Sequence, residues 1–138
     1  MAAPYAHIAV CIDEGDASRR ALEEARRLRA LGPGRLTLVH VLEEPIPGTL
    51  RPEAYAALTE TPDELGHWLA GLVDRGASEE GVLLDHEFPP KAVAEWAAAA
   101  APDLLVVAAV RTAGKRLLHG AFAGHLAYHA PCPVLVVH

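Results

Sequence analysis

The feature that most constrains the fold of this chain is its repeated alternation of short apolar runs with segments of helical period. Strands separated by helices form parallel sheets with helices on both faces. The order β-α-β-α-β-α-β-α-β therefore predicts an α/β fold, a three-layer sandwich around a five-stranded parallel sheet. The predicted strands are 8–12, 36–42, 81–88, 103–110 and 134–137.

Length and composition place the chain among ordinary globular domains. With 138 residues, of which 51% are hydrophobic and 22% charged, we expect a single domain over 1–138 with a proper core. Its net charge of −6 argues against a nucleic-acid partner, because phosphate backbones are bound by dense Lys/Arg patches. We expect no nucleic-acid binding.

Membrane association and secretion are not predicted either. The most apolar stretch, 104–110, is far shorter than the roughly 20 residues that a spanning helix needs. Residues 1–7 carry no positive region of the kind that opens a secretory signal. Cys11 and Cys132 form no disulfide framework, so a cytoplasmic protein in a reducing compartment is expected.

Local signals predict where the helices begin. Asp16 or Ser18 can cap the first helix, and 61–64 is a capping box with proline at the first helical position. Pro89 and Pro90 open a third helix, and a fourth runs from about 117 to 129. The segment 43–60 is predicted to be a long loop, with one short helix as an option, and it suggests no chemistry.

The strand compositions predict where a ligand would bind. The first and fourth strands are the most apolar and should be central and adjacent, whereas the half-polar third strand suits a sheet edge. Ligands of such sheets bind beyond the carboxyl ends of the strands, where the strand order reverses. The candidate site therefore lies between Asp13 and the loop that follows Val110.

Two features of this site each have two interpretations. Asp13 can accept a hydrogen bond from a ribose hydroxyl or a ligand amine, or it can cap the turn that follows the strand. Three cations in 111–116 precede a helix, where they would strengthen an anion site, but a solvated basic turn explains them equally well. No P-loop motif is present.

Metal-binding and catalytic motifs are not predicted. His125 and His129 are four apart on one helix and could both reach one ion, with His119 nearby, but the sequence fixes no third ligand. We therefore predict no metal site. The cysteines lack CxxC spacing and a Gly-x-Ser-x-Gly elbow is missing, so no enzyme activity is predicted.

Three stretches together resemble the universal stress protein family. Residues 8–22 resemble its opening strand, aspartate turn and first helix, and 36–41 its second strand. Residues 115–120 with His-Ala-Pro-Cys-Pro-Val-Leu-Val-Val at 129–137 resemble its closing signature. The resemblance implies a flavodoxin-like, adenine nucleotide alpha hydrolase-like sandwich of strand order 3-2-1-4-5, acting in stress adaptation without a settled reaction.

The resemblance also implies a homodimer that pairs through the last strand. Apolar alternation at a free sheet edge fits this, because an unpaired edge is a template for another strand. The implied interface residues are Cys132, Val134, Leu135, Val136 and Val137.

One branch of the family binds ATP through Gly-x-x-Gly, nine residues and Gly-[Ser/Thr], and this chain departs from that pattern. Ala109 and Thr112 stand near the first two glycine positions, and Gly120 is followed by Ala121. Glycines there let backbone approach phosphates without an obstructing Cβ. We expect a non-catalytic protein with a degenerate cleft, and the alternative is an ATP-binding (Mg²⁺) protein with a rebuilt phosphate loop and slow hydrolysis. The candidate nucleotide residues are Ile12, Asp13, Val41, Ala109, Arg111, Gly114, Lys115, Gly120, Ala121 and Phe122.

Overall fold

The structure, a computed structural model, describes residues 4–13, 15–43, 62–86, 88–109 and 116–138. A short 3₁₀ turn, Arg75–Ala77, precedes the third strand. The five strands are β1 (His7–Cys11), β2 (Arg35–Glu43), β3 (Glu79–His86), β4 (Leu104–Ala108) and β5 (Val134–Val137). The four helices are α1 (Asp16–Arg29), α2 (Pro62–Leu72), α3 (Pro89–Ala100) and α4 (Arg116–His129).

The strands form one parallel sheet in the order β3-β2-β1-β4-β5. The predicted α/β class and strand order are confirmed. β1 and β4 lie next to each other at the centre, and their apolar runs are buried because helices cover both faces. β3, the half-polar run, lies at one edge as predicted, and β5 lies at the other.

Each face of the sheet packs against its own pair of helices. Ile8 and Val10 of β1 join a core cluster with α1 and α2, whereas Ala9 and Cys11 join a second cluster with α3 and α4. This separation follows from the strand period of two, which sends alternate side chains to opposite faces. The predicted three layers are thus helices, sheet and helices.

The strand ends differ from the predicted bounds by one or two residues. β4 begins at Leu104, and the carboxylate of the preceding Asp103 accepts hydrogen bonds from the backbone N–H groups of Ala6 (2.9 Å) and His7 (2.8 Å). β3 begins at Glu79, two residues before the predicted start. Most of the predicted loop 43–60, with its optional helix, lies outside the described residues.

The first residue of β3, Glu79, forms a partly buried ion pair with Arg26. Arg26 of α1 donates from Nε and Nη2 to the two carboxylate oxygens of Glu79, at 2.8 Å each. Nη2 also donates to the Leu72 carbonyl at the end of α2, and the Asp74 N–H donates to Glu79. The hydrogen bonds to Glu79 raise the pKa of Arg26 above its ordinary value. One side-chain pair thereby ties α1, α2 and β3 together.

A second polar network lies at the start of β1 and β2. Arg35 donates to Nδ1 of His7 (3.3 Å), so the proton of a neutral ring lies on Nε2, which donates to Thr37 Oγ1 (2.8 Å). Thr37 in turn donates to Glu80 (2.9 Å), which also pairs with Arg35 at 3.5 Å. His7 is 6% exposed, and burial together with Arg35 lowers its pKa.

Candidate functional site

The carboxyl ends of β2, β1 and β4 lie side by side at one edge of the sheet. Ile12 follows β1, is buried, and donates its N–H to the Val39 carbonyl of β2 at 2.9 Å. Asp13 is exposed, and Val41 and Ala109 are half-buried at the ends of the neighbouring strands. The sheet order thus places these four predicted residues at the edge where ligands of such sheets bind.

Asp13 organises the turn between β1 and α1. Its Oδ1 accepts a hydrogen bond from the Gly15 N–H (2.7 Å), and its own N–H donates to Ser18 Oγ (2.7 Å). A Cβ at position 15 would lie 3.0 Å from Asp13 Oδ1, so this close approach favours glycine. The turn interpretation of Asp13 therefore holds, while its ligand interpretation stays a prediction.

The predicted cap of α1 is wrong. Gly15 occupies the N-cap position with extended backbone, and no side chain caps it. Ser18 does not serve as a cap because its hydroxyl accepts the Asp13 N–H instead. Asp16 is the first helical residue, where its charge favours the positive end of the helix dipole.

His40 is a site residue that the sequence analysis missed. Its Nδ1 lies 2.7 Å from the Ile12 carbonyl, and because a carbonyl only accepts, Nδ1 is the protonated nitrogen. The ring packs edge-to-face against Trp68 of α2, with centroids 5.1 Å apart. The signal that could have found it is a polar residue near the carboxyl end of an apolar strand.

These contacts determine what the turn can bind. The N–H groups of Ile12, Asp13 and Gly15 and the carbonyl of Ile12 all have partners inside the protein. In the described part of the chain, no hydrogen bond involves Oδ2 of Asp13. Asp13 can therefore accept a hydrogen bond from a hydroxyl or amino group, whereas the N–H groups of Ile12, Asp13 and Gly15 are not available to a phosphate.

A cavity of about 60 Å³ lies beneath this turn, between α1 and α2. Small-molecule sites usually measure about 300–1,000 Å³, so this cavity is too small for a nucleotide. A nucleotide at this edge would therefore lie across the strand ends rather than inside the cavity. The lining residues are Ile12, Asp13, Gly15, Ser18, Arg19, Leu22, Trp68 and Leu72.

The predicted phosphate side is described only in part. Arg111, Gly114 and Lys115 lie outside the described residues. Gly120 and Ala121 lie within α4, and Phe122 packs partly buried against the core cluster under α3 and α4. Contact of these residues with a ligand stays a prediction.

Burial makes both thiols poor nucleophiles. Burial raises the pKa of Cys11 to about 12, which keeps it protonated, and burial also raises the pKa of Cys132. His125 and His129 lie together on α4, with ring centroids 4.4 Å apart. Within the described residues, no three histidine, cysteine, aspartate or glutamate side chains are grouped closely enough to hold a metal ion.

Among the described strands, β5 lies at the edge of the sheet and pairs only with β4. The Pro133 and Val137 carbonyls accept hydrogen bonds from Leu105 and Ala109 on the β4 side. Because backbone groups alternate in direction along a parallel strand, those of Val134 and Val136 face away from β4. The side chains of Val134–Val137 and of Cys132 are half-buried, and they pack alternately against the two core clusters.

The fold is an α/β sandwich, and its candidate ligand site lies at the carboxyl ends of the central strands. A model of the universal stress protein family matches residues 4–138. The chain belongs to the universal stress protein family, and its fold is the adenine nucleotide alpha hydrolase-like one. A search of curated proteins found no match. Among the described residues, every helix is too short or too polar to span a membrane.

Solved structures of the family superpose over nearly the whole chain. Universal stress protein UspA from Lactobacillus plantarum is 22% identical, with a TM-score of 0.71 and coverage of 99% of this chain and 100% of that one. A universal stress protein in complex with cAMP is 25% identical, with a TM-score of 0.64 and 97% coverage of both chains. The protein from Archaeoglobus fulgidus in complex with dAMP is 21% identical, with a TM-score of 0.67 and coverage of 97% and 98%.

Proposed function

We propose that this protein is a non-catalytic, homodimeric regulatory domain of the cytoplasmic stress response, with a single domain and a degenerate nucleotide cleft. The observation that carries the proposal is the turn after β1, where the N–H groups of Ile12, Asp13 and Gly15 are bonded within the protein. The exposed carboxylate of Asp13 is the group there that would meet a ligand. The replacement of the family's phosphate-loop glycines near Ala109 and Thr112 weakens triphosphate binding further.

A second candidate function is an adenine-nucleotide-binding regulator. It is favoured by the two solved relatives described with cAMP and with dAMP. In this case Ile12, Val41 and Asp13 would meet the nucleoside, with Asp13 accepting a hydrogen bond from a hydroxyl or amino group. Arg111, Gly114, Lys115 and the backbone of Gly120 would meet the phosphates, with Mg²⁺ as a counterion, and hydrolysis would be slow.

The homodimer is proposed to form through β5. The outward backbone groups of Val134 and Val136 can pair with the same strand of a second copy, which removes an unpaired sheet edge. A cytoplasmic location is proposed because both cysteines are free, one buried and one half-buried, as suits a reducing compartment.

Nucleotide binding separates the two candidates. The purified protein is denatured and its supernatant is analysed for adenine nucleotides, and then Mg·ATP, AMP and cAMP are titrated by calorimetry. The first proposal expects no nucleotide in the supernatant and no ATP binding tighter than the millimolar range. Micromolar binding would reject it and support the second candidate.

The variant Asp13→Asn identifies the site if binding is seen. Asparagine keeps an oxygen for the Gly15 N–H, so the turn is preserved while the charge and one acceptor are lost. Asp16→Asn makes the same change of charge on the exposed first turn of α1 and is the matched control. Equal weakening by both variants would show that Asp13 acts only through general electrostatics.

A further inference from the structure

The last turns of α4 carry two imidazoles on one face. His125 and His129 are one helical turn apart, and their ring centroids lie 4.4 Å apart with planes inclined by 36°. His129 is exposed and His125 is half-buried, so solvent reaches the pair. This pair takes no part in the strand-end site described above.

The spacing of the two rings suits a shared metal ion. A metal–imidazole bond is about 2.0–2.1 Å long, so two rings must lie within a few ångströms of each other to bind one ion. Residues at i and i+4 lie one above the other on a helix, so both rings lie on the same face, with their centroids 4.4 Å apart. Imidazole nitrogen suits zinc, copper and nickel rather than calcium or magnesium.

The surroundings restrict the two rings and favour a cation. Phe88 packs edge-on against His125 with centroids 5.2 Å apart, and Tyr128 packs against His129 at 4.9 Å. These contacts limit ring rotation and so lower the entropy lost on binding. α4 contains no acidic residue, but His129 is its final residue, where the negative end of the helix dipole attracts a cation.

The geometry points to a binding site for one divalent late-transition-metal ion at His125 and His129. Water completes the coordination, since the described residues contain no group of three or more ligands. Two protein ligands make a labile site, unlike the four-ligand sites that hold structural zinc. This inference is independent of the proposed function.

Metal titration of the full chain tests the site. Ni²⁺ is titrated by calorimetry into chelator-treated protein, and the strongest site is expected to bind one ion per chain. Loss of a partner that merely orients a ligand costs about 10–100-fold in affinity, so His125→Asn and His129→Asn should each weaken this site at least about tenfold. The control is His67→Asn on α2, an exposed histidine whose i±4 positions are Asp63 and Gly71.

Two results would overturn the inference. One is a Ni²⁺ affinity that stays unchanged in either His125→Asn or His129→Asn. The other is a loss of Ni²⁺ affinity in His67→Asn as large as the loss in those two variants. Circular dichroism without metal shows whether each variant folds. If a variant does not fold, Cu²⁺ is bound to the unaltered protein and its electron paramagnetic resonance spectrum is recorded. The spectrum should show coupling to two imidazole nitrogens, and a spectrum without this coupling rejects the site.

Discussion

Glu79 is a charged residue whose side chain the fold leaves only 2% exposed. Its carboxylate accepts hydrogen bonds from Arg26 and from the Asp74 N–H. In Glu79→Ala the Asp74 N–H loses its acceptor and Arg26 keeps only the Leu72 carbonyl. Breaking a fully buried pair in this way costs about 3–5 kcal/mol. Because Arg26 is 39% exposed and regains some hydration, we expect a loss of about 2–3 kcal/mol in the free energy of unfolding, measured by urea denaturation.

The matched control is Glu24→Ala, which removes an exposed pair with Arg27 on the surface of α1. Exposed pairs contribute at most about 1 kcal/mol, so this variant should remain close to the parent protein. Similar losses for the two variants would contradict the role assigned to Glu79.

His7 gives the protein a pH-dependent stability. Its folded pKa is lowered by burial and by Arg35, which outweigh the opposing effect of Glu80 and Asp103. At pH values near 6.5, His7 therefore takes up a proton in the unfolded chain but not in the folded protein. The free energy of unfolding should fall as the pH drops below about 6.5. The contribution of His7 to this fall ends once His7 of the folded protein is protonated too.

The variant His7→Gln isolates this effect. Glutamine cannot titrate, so the slope of stability against pH between about 7 and 5 should be shallower than in the parent protein, whatever the variant's absolute stability. Urea denaturation at several pH values measures both slopes. Parallel slopes would show that His7 does not contribute.

At the scale of elements, the free edge of β5 predicts how the dimer can be broken. In Val136→Pro the outward N–H is lost, while the hydrogen bonds that β5 makes with β4 remain, because proline is tolerated where its nitrogen faces away from the sheet. We expect this variant to be monomeric by light scattering at tens of micromolar protein, a concentration at which the parent is expected to be dimeric.

Val136→Ala is the control for packing. Val136 packs against the core cluster of α3 and α4, and alanine loses that packing while keeping the N–H. It should remain dimeric. A monomeric parent protein, or a folded Val136→Pro variant that remains dimeric, would contradict pairing through β5.

The positions of the strands in the sheet were predictable from the sequence, but not all of their bounds were. The central position of β1 and β4 and the edge position of β3 were predictable because continuous or broken apolar runs report burial directly. The start of β3 was not, since the charge of the buried Glu79 is paired with Arg26, which is 53 positions away in the chain. Local patterns cannot reveal a partner so distant.

The position of the candidate site was predictable, but its hydrogen bonds were not. The strand-end position of Asp13 followed from the topology alone. Ser18 accepts a hydrogen bond from the Asp13 N–H, and His40 donates one to the Ile12 carbonyl. Both contacts depend on side-chain geometry that periodicity does not encode. Local capping rules even favoured the wrong role for Ser18.

At the scale of the whole molecule, the sheet should unfold from its edges inward. The residues of β1 are all buried between β2 and β4, whereas those of β5 are half-buried and paired on one side only. Hydrogen exchange of β1 amides should therefore require global unfolding. The amides of Val134 and Val136 should exchange faster on dilution, as dimers dissociate, and concentration-independent exchange at these two positions would contradict the assembly.

The two thiols differ in a way that makes the protein easy to label. Cys11 is 8% exposed, and with a pKa of about 12 it offers almost no thiolate to an alkylating reagent at neutral pH. Cys132 is half-buried and therefore more accessible than Cys11, although burial raises its pKa as well, and it lies two residues before β5. A single fluorophore or spin label can therefore be attached beside the pairing edge without removing the other cysteine, and it would report directly on the association of two copies.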